Sequence, residues 1–276
     1  MTTSNIGDDD RLRRVIRVDR RPKRPSAPAV TLTFTHRALL KIKHVPEQLM
    51  DVTLTPVIFT LMFVYLFGGA IAGDPQTYVQ FLLPGILVQS VLLITVYTGF
   101  TINTDITKGV FDRFRSLPIW RPAPIVGALL GDSVRYTVAS IITIGLGLLL
   151  GFRPEGGVLG VVLAIVLLLI FAFSLSWIFT ILGLLMRTPN AVMGVSMLIL
   201  MPLTFASNIF VDPETMPSGL QTWAQSINPV SYLVTGVREL MYGTATFGDI
   251  AWVLIVSASL TAVLAPITMR LYRTRT

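Results

Sequence analysis

Few side chains in this sequence could move a proton, cradle a phosphate or hold a metal. Asp132 and Arg135 are an ionisable pair inside a long apolar run. Three positions apart, they share one face of a helix. Ionisable groups at membrane depth are costly and mark function by default. Two readings stand: a self-satisfying pair that snorkels toward the surface, or a gate. The two histidines, His36 and His44, read as solvated surface groups, and no metal site is expected. With no cysteine, thiolate chemistry, disulfides and Cys-ligated metals are excluded. A phosphate loop needs lysine directly after glycine. None of Lys23, Lys41, Lys43 and Lys108 follows a glycine, and no long polar segment could form a nucleotide domain. No catalytic residue is therefore expected.

The second constellation lies over Asp105 to Pro118. Ile106, Val110, Phe111, Phe114 and Leu117 recur at helical spacing and form one apolar stripe. Lys108, Asp112, Arg113 and Arg115 cover the other side. Such a helix either lies on lipid headgroups or offers a docking surface to a partner. A third set is apolar. Met193, Met197 and Met201 repeat every four residues, and Tyr97 and Phe100 share another run. Methionine and aromatic faces can repack around varied apolar cargo, although plain helix packing produces the same pattern.

These groups must be positioned by membrane helices. Of the residues, 53% are hydrophobic and only 13% charged, with mean hydropathy +0.70. A soluble domain carries roughly 25% charged residues. Six stretches approach the ~20 apolar residues of a span: 52–72, 82–103, 126–152, 158–186, 190–211 and 250–269. The net charge of +7 is not a nucleic-acid footprint, because the charges flank the spans. With the amino terminus inside, all but Arg153 and Arg238 of the 22 lysines and arginines are cytoplasmic. Both termini are then cytoplasmic. Residues 1–28, basic and proline-containing, read as a disordered tail without a cleavable signal, followed by a transmembrane domain over 29–276. Thr31 to Val45 is amphipathic and basic, an interfacial helix before the first span. Asp212 to Gly248 is broken by Pro213, Pro217 and Pro229; its piece 230–242 is too short to cross and is expected to dip into the outer leaflet.

The chain resembles the ABC-2 type membrane permeases, above all the daunorubicin/doxorubicin-resistance permeases of actinobacteria. The matching stretches are LKIKHVPEQLMDVTLTP (40–56), YLFGGAIAG (65–73), QFLLPGILVQS (80–90), YTGFTINTDITKGVFDRFRSLPIWRPAPIVGALLGDSVRY (97–136), MRTPNAVM (186–193), SNIFVDPETMP (207–217), NPVSYLVTGVREL (228–240) and MRLY (269–272). The resemblance implies an all-α integral membrane fold with six spans. It adds an amphipathic connecting helix, a cytoplasmic coupling helix over 106–117 that docks on an ATPase, and extracellular re-entrant helices. It implies a second permease copy as partner, an ABC ATPase subunit that binds ATP and Mg, and no cofactor in this chain. Hydrophobic or amphipathic cargo, an anthracycline-like antibiotic above all, would pass through a cavity between the halves at the plasma membrane. A lipid or polyketide-lipid exporter of the same architecture is the alternative. A channel should show polar pore rings, which the spans lack, and a scaffold needs no coupling helix.

Overall fold

The computed structural model describes residues 26–44, 46–69, 73–115 and 120–275; for residues 41–44, 46–53, 67, 75, 112, 114, 115 and 275 within the helices only the backbone is described. Every regular element there is helical. The chain runs α1 (Ala27–His44), α2 (Pro46–Met62), α3 (Pro75–Thr107), α4 (Val110–Arg115), α5 (Ala123–Leu149), α6 (Gly157–Leu185), α7 (Pro189–Phe205), α8 (Ser218–Thr222), α9 (Pro229–Tyr242) and α10 (Phe247–Arg275). The expected tail lies outside the described residues except for its last three, and Ala27 and Pro28 already belong to α1.

Local chemistry sets the helix starts. Pro75, Pro189 and Pro229 each stand at a first helical position, where a missing N–H is harmless. Each follows a capping side chain. Asp74 accepts from the Thr77 amide at 3.0 Å, Thr188 from Ala191 at 3.3 Å and Asn228 from Val230 at 2.9 Å. Gly243 ends α9 in the left-handed region at φ +74°.

Helices α3, α5, α6 and α10 are long and apolar enough to cross a membrane. Two of the six expected spans are shorter. The first is α2, continued by a wider π-type turn over Phe63–Phe67, with its apolar part at Leu54–Leu66. The fifth is α7, which ends at Phe205 rather than near 211. At 17 residues α7 reaches about 25 Å. The second span is longer than expected: α3 has 33 residues and carries Pro84 inside it. Pro56 likewise lies inside α2, which begins at Pro46.

Helix α3 is the centre of the molecule. It packs against α5, α6, α7, α9 and α2, whereas α10 is mostly exposed apolar surface. Within lipid, helices gain by close backbone approach rather than by hydrophobic burial, so small residues mark the crossings. Gly99 on α3 faces Gly183 on α6; a Cβ on Gly183 would stand 2.5 Å from the Gly99 carbonyl oxygen. A Cβ on Gly85 would stand 2.5 Å from the Ile209 carbonyl oxygen. Gly127 and Gly131 on α5 receive Phe34 and Ala38 of α1. The connecting helix is therefore seated on α5 rather than only lying on headgroups.

Candidate functional site

The charged constellation around Asp105 to Pro118 is built differently from a single helix over 106–117. Helix α3 continues through Thr107, and the Lys108 amide closes it onto the Thr104 carbonyl at 3.1 Å. Gly109 then turns at φ +66°, and α4 begins at Val110. Ile106 thus belongs to the end of the second span. A left-handed glycine breaks the helical register that the apolar stripe suggested.

Phe111 points inward. It is 4% exposed, and its ring meets Tyr272 of α10 edge-on at 5.6 Å. Both sit in a small core with Ile102, Ile125, Leu129, Trp177 and Leu184, and Ile106 packs against it. Lys108 and Arg113 are exposed and Val110 is half-buried. The side chains of Asp112, Phe114 and Arg115, and all of Leu117, lie outside the described residues. Arg37 of α1 pairs with Asp105 of α3 at 3.5 Å. Two contacts thus hold this end of α3 and α4: Arg37 of α1 to Asp105 of α3, and Phe111 of α4 to Tyr272 of α10.

Deeper in the bundle, Asp132 and Arg135 pair at 2.8 Å, as their spacing suggested. They do not snorkel: the side chains are 9% and 4% exposed. Asp132 also accepts from the Thr98 hydroxyl at 2.6 Å. Thr98 lies 3.4 Å from the Tyr136 hydroxyl, which lies 2.8 Å from Ser176 on α6. A chain of polar groups therefore ties α3, α5 and α6 across the bundle. In an apolar medium each satisfied link is strong and each orphan costly.

The expected cargo residues separate. Tyr97 and Phe100 are half-buried on one face of α3, edge-to-face at 6.4 Å, and the Arg135 guanidinium lies 5.6 Å from the Tyr97 ring centre. Met193 and Met197 are half-buried against the core. Met201 is 41% exposed, beside exposed Leu198 and Phe205. The methionine stripe is thus not one surface. A separate groove of about 830 Å³ between α5, α6 and α10 is apolar, and Thr261 and Ser174 there bond to one another at 2.9 Å.

On the opposite side, α9 is clamped by polar side chains on broken backbone. Arg238 lies 4.0 Å over the Phe81 ring and donates to the carbonyls of Phe81 and Asn208, each at 3.1 Å. Tyr242 donates to the Gln80 carbonyl at 2.8 Å and Tyr78 to that of Phe210 at 3.0 Å. Asn228 donates to Leu203 and Ala206 at 2.7 and 2.9 Å, satisfying carbonyls at the end of α7. Burial lowers the Arg238 guanidinium to about 10, so it stays charged at neutral pH.

Thr98, Tyr136, Ser176 and Arg238 were not singled out in the sequence as site residues. One signal was available. Each is a polar side chain within a run that otherwise packs apolar surface, and such groups require partners.

Among the described residues no cluster of His, Asp and Glu could hold a metal ion. The ABC-2 type transporter family model matches residues 30–242. A daunorubicin resistance ABC transporter permease protein of Streptomyces coeruleorubidus is 56% identical over 264 residues, covering 96% of this chain and 93% of that protein. A probable doxorubicin resistance ABC transporter permease protein of Mycobacterium tuberculosis is 21% identical over 240 residues, 86% of each chain. A doxorubicin resistance permease of the same organism is 27% identical over 146 residues, half of each chain. With the helical bundle, the apolar spans and a family match over most of its length, the chain belongs to the ABC-2 type transporters and is an ABC transporter permease.

Proposed function

We propose that this permease exports amphipathic aromatic antibiotics of the anthracycline type, driven by ATP bound with Mg on a separate ATPase subunit. The observation that carries the reading is the 56% identity, over nearly the whole chain, to a permease named for daunorubicin resistance. The permease makes and breaks no covalent bond. It holds cargo more tightly in an inward-open state than in an outward-open one, and the ATPase supplies the difference.

In this reading two permease copies face one another, and both termini are cytoplasmic. The ATPase docks at the junction of α3 and α4, on the exposed side bearing Lys108 and Arg113. Phe111 supports that surface from behind, and the contacts of α1 with α5 and of α4 with α10 carry its displacement into the bundle. Met193, Met197 and Met201 line part of the route as half-buried and exposed apolar surface.

The test uses inverted vesicles holding the permease and its ATPase. ATP-dependent daunorubicin uptake is expected. The double substitution Lys108→Glu, Arg113→Glu should abolish uptake and ATPase retention while leaving the permease in the membrane. Absence of ATP-dependent uptake by the unaltered complex overturns the reading.

A further inference from the structure

Asp132 has both carboxylate oxygens engaged, one by Arg135 and one by Thr98. Arg135 does not spend its donors in the same way. Its Nη1 holds Asp132, but its Nε and Nη2 are buried and have no hydrogen-bond partner. A charged fork with idle N–H groups at membrane depth is among the costliest arrangements in a protein. The face that covers it is aromatic. Tyr97 lies over the guanidinium, Phe100 adjoins Tyr97, and both rings are half-buried.

We propose that Arg135 is a cargo-recognition residue. Its idle donors take ring carbonyl or phenolic oxygens of a planar aromatic cargo that stacks on Tyr97 and Phe100. The inference rests on the exporter reading and narrows its substrate class. The balance of donors decides the chemistry. Each Asp132 oxygen already accepts a hydrogen bond and the charge of Arg135 beside it repels an ammonium group, whereas Arg135 has buried donors to offer an oxygen. The amine of a cationic drug is not what is read here. Arg135 lies about three turns into α5 from Ala123, the end that the proposed topology places in the cytoplasm, where an exporter loads.

The experiment compares two planar aromatic probes in inverted vesicles holding the complete complex. Daunorubicin carries ring carbonyls; ethidium has no oxygen. Arg135→Lys keeps a charge for Asp132 but loses the planar fork. Daunorubicin transport should lose about tenfold or more, through a higher KM with kcat retained, while ethidium transport holds. If Arg135→Lys fails to reach the membrane, Asp132→Asn with Arg135→Gln removes both charges together and should give the same change in the probe ratio. An unchanged ratio, or a fall in kcat for both probes together, overturns the inference and leaves the exporter reading standing. A wild-type complex that moves neither probe overturns both.

Discussion

Gly131 and Ala38 touch so closely that a Cβ on Gly131 would stand 2.6 Å from that of Ala38. One turn away, Phe34 fills the place of a Cβ on Gly127. The groove they form binds the amphipathic helix α1 to α5, the helix that also bears Asp132 and Arg135. Gly131→Leu should therefore push α1 off α5 at a cost of about 1–3 kcal/mol. Thermal unfolding in detergent would register it as a lower midpoint. Gly145, which has open space where a Cβ would stand, is the control, and Gly145→Ala should be neutral or slightly stabilising. Equal midpoints for both variants would contradict the packing.

Phe111 and Arg113 are two residues apart with opposite duties. Phe111→Ala empties a packed site against Tyr272 and should cost about 3–5 kcal/mol. Arg113→Ala, on an exposed position, should stay within about 0.5 kcal/mol of wild type. Chemical unfolding of both purified variants is the measurement. A Phe111 variant as stable as the parent, yet unable to hold the ATPase, would place Phe111 at the docking surface instead.

Glu239 supplies a pH dependence. Burial, reinforced by the negative charge of Asp249 and a hydrogen bond with it, raises its carboxyl to about 7, and Arg238 pulls the other way. In the unfolded chain the group titrates at about 4.3. Between those values the folded state binds more proton than the unfolded one, so stability falls as pH rises, and the full penalty is in place above about pH 7. Glu239→Gln keeps a donor toward Asp249 and removes the charge. It should raise the unfolding midpoint at pH 8 and change it little near pH 4. The same increment at both values would remove Glu239 as the cause.

The proposed orientation is checked with single cysteines, since the chain has none of its own. Ser26 and Ser218 are both exposed. A membrane-impermeant thiol reagent applied to intact cells should label Ser218→Cys and leave Ser26→Cys unlabelled until the cells are opened. The opposite pattern would invert the topology.

Hydropathy and charge along the chain were enough to anticipate a helical membrane protein, the long apolar helices α3, α5, α6 and α10, the short helix over 230–242 and the pairing of Asp132 with Arg135. Those features depend on spacing along one element, which a linear pattern records. The break before Pro229 was legible because its chemistry is local, whereas the start at Asp74–Pro75 was missed: the second span was expected only from 82, where the continuous apolar run begins. The break at Gly109 was not legible, because an apolar stripe can run through a turn without losing its spacing. Tertiary structure alone decided which way Phe111 faces, that Asp132 and Arg135 are buried rather than snorkelling, and that Arg135 reaches Tyr97. It also divided the methionine stripe, turning Met193 and Met197 toward the core and leaving Met201 exposed. Each of these depends on which helix lies alongside. In an apolar medium that choice follows backbone approach at glycines and the satisfaction of scattered polar groups, and both join residues far apart in sequence.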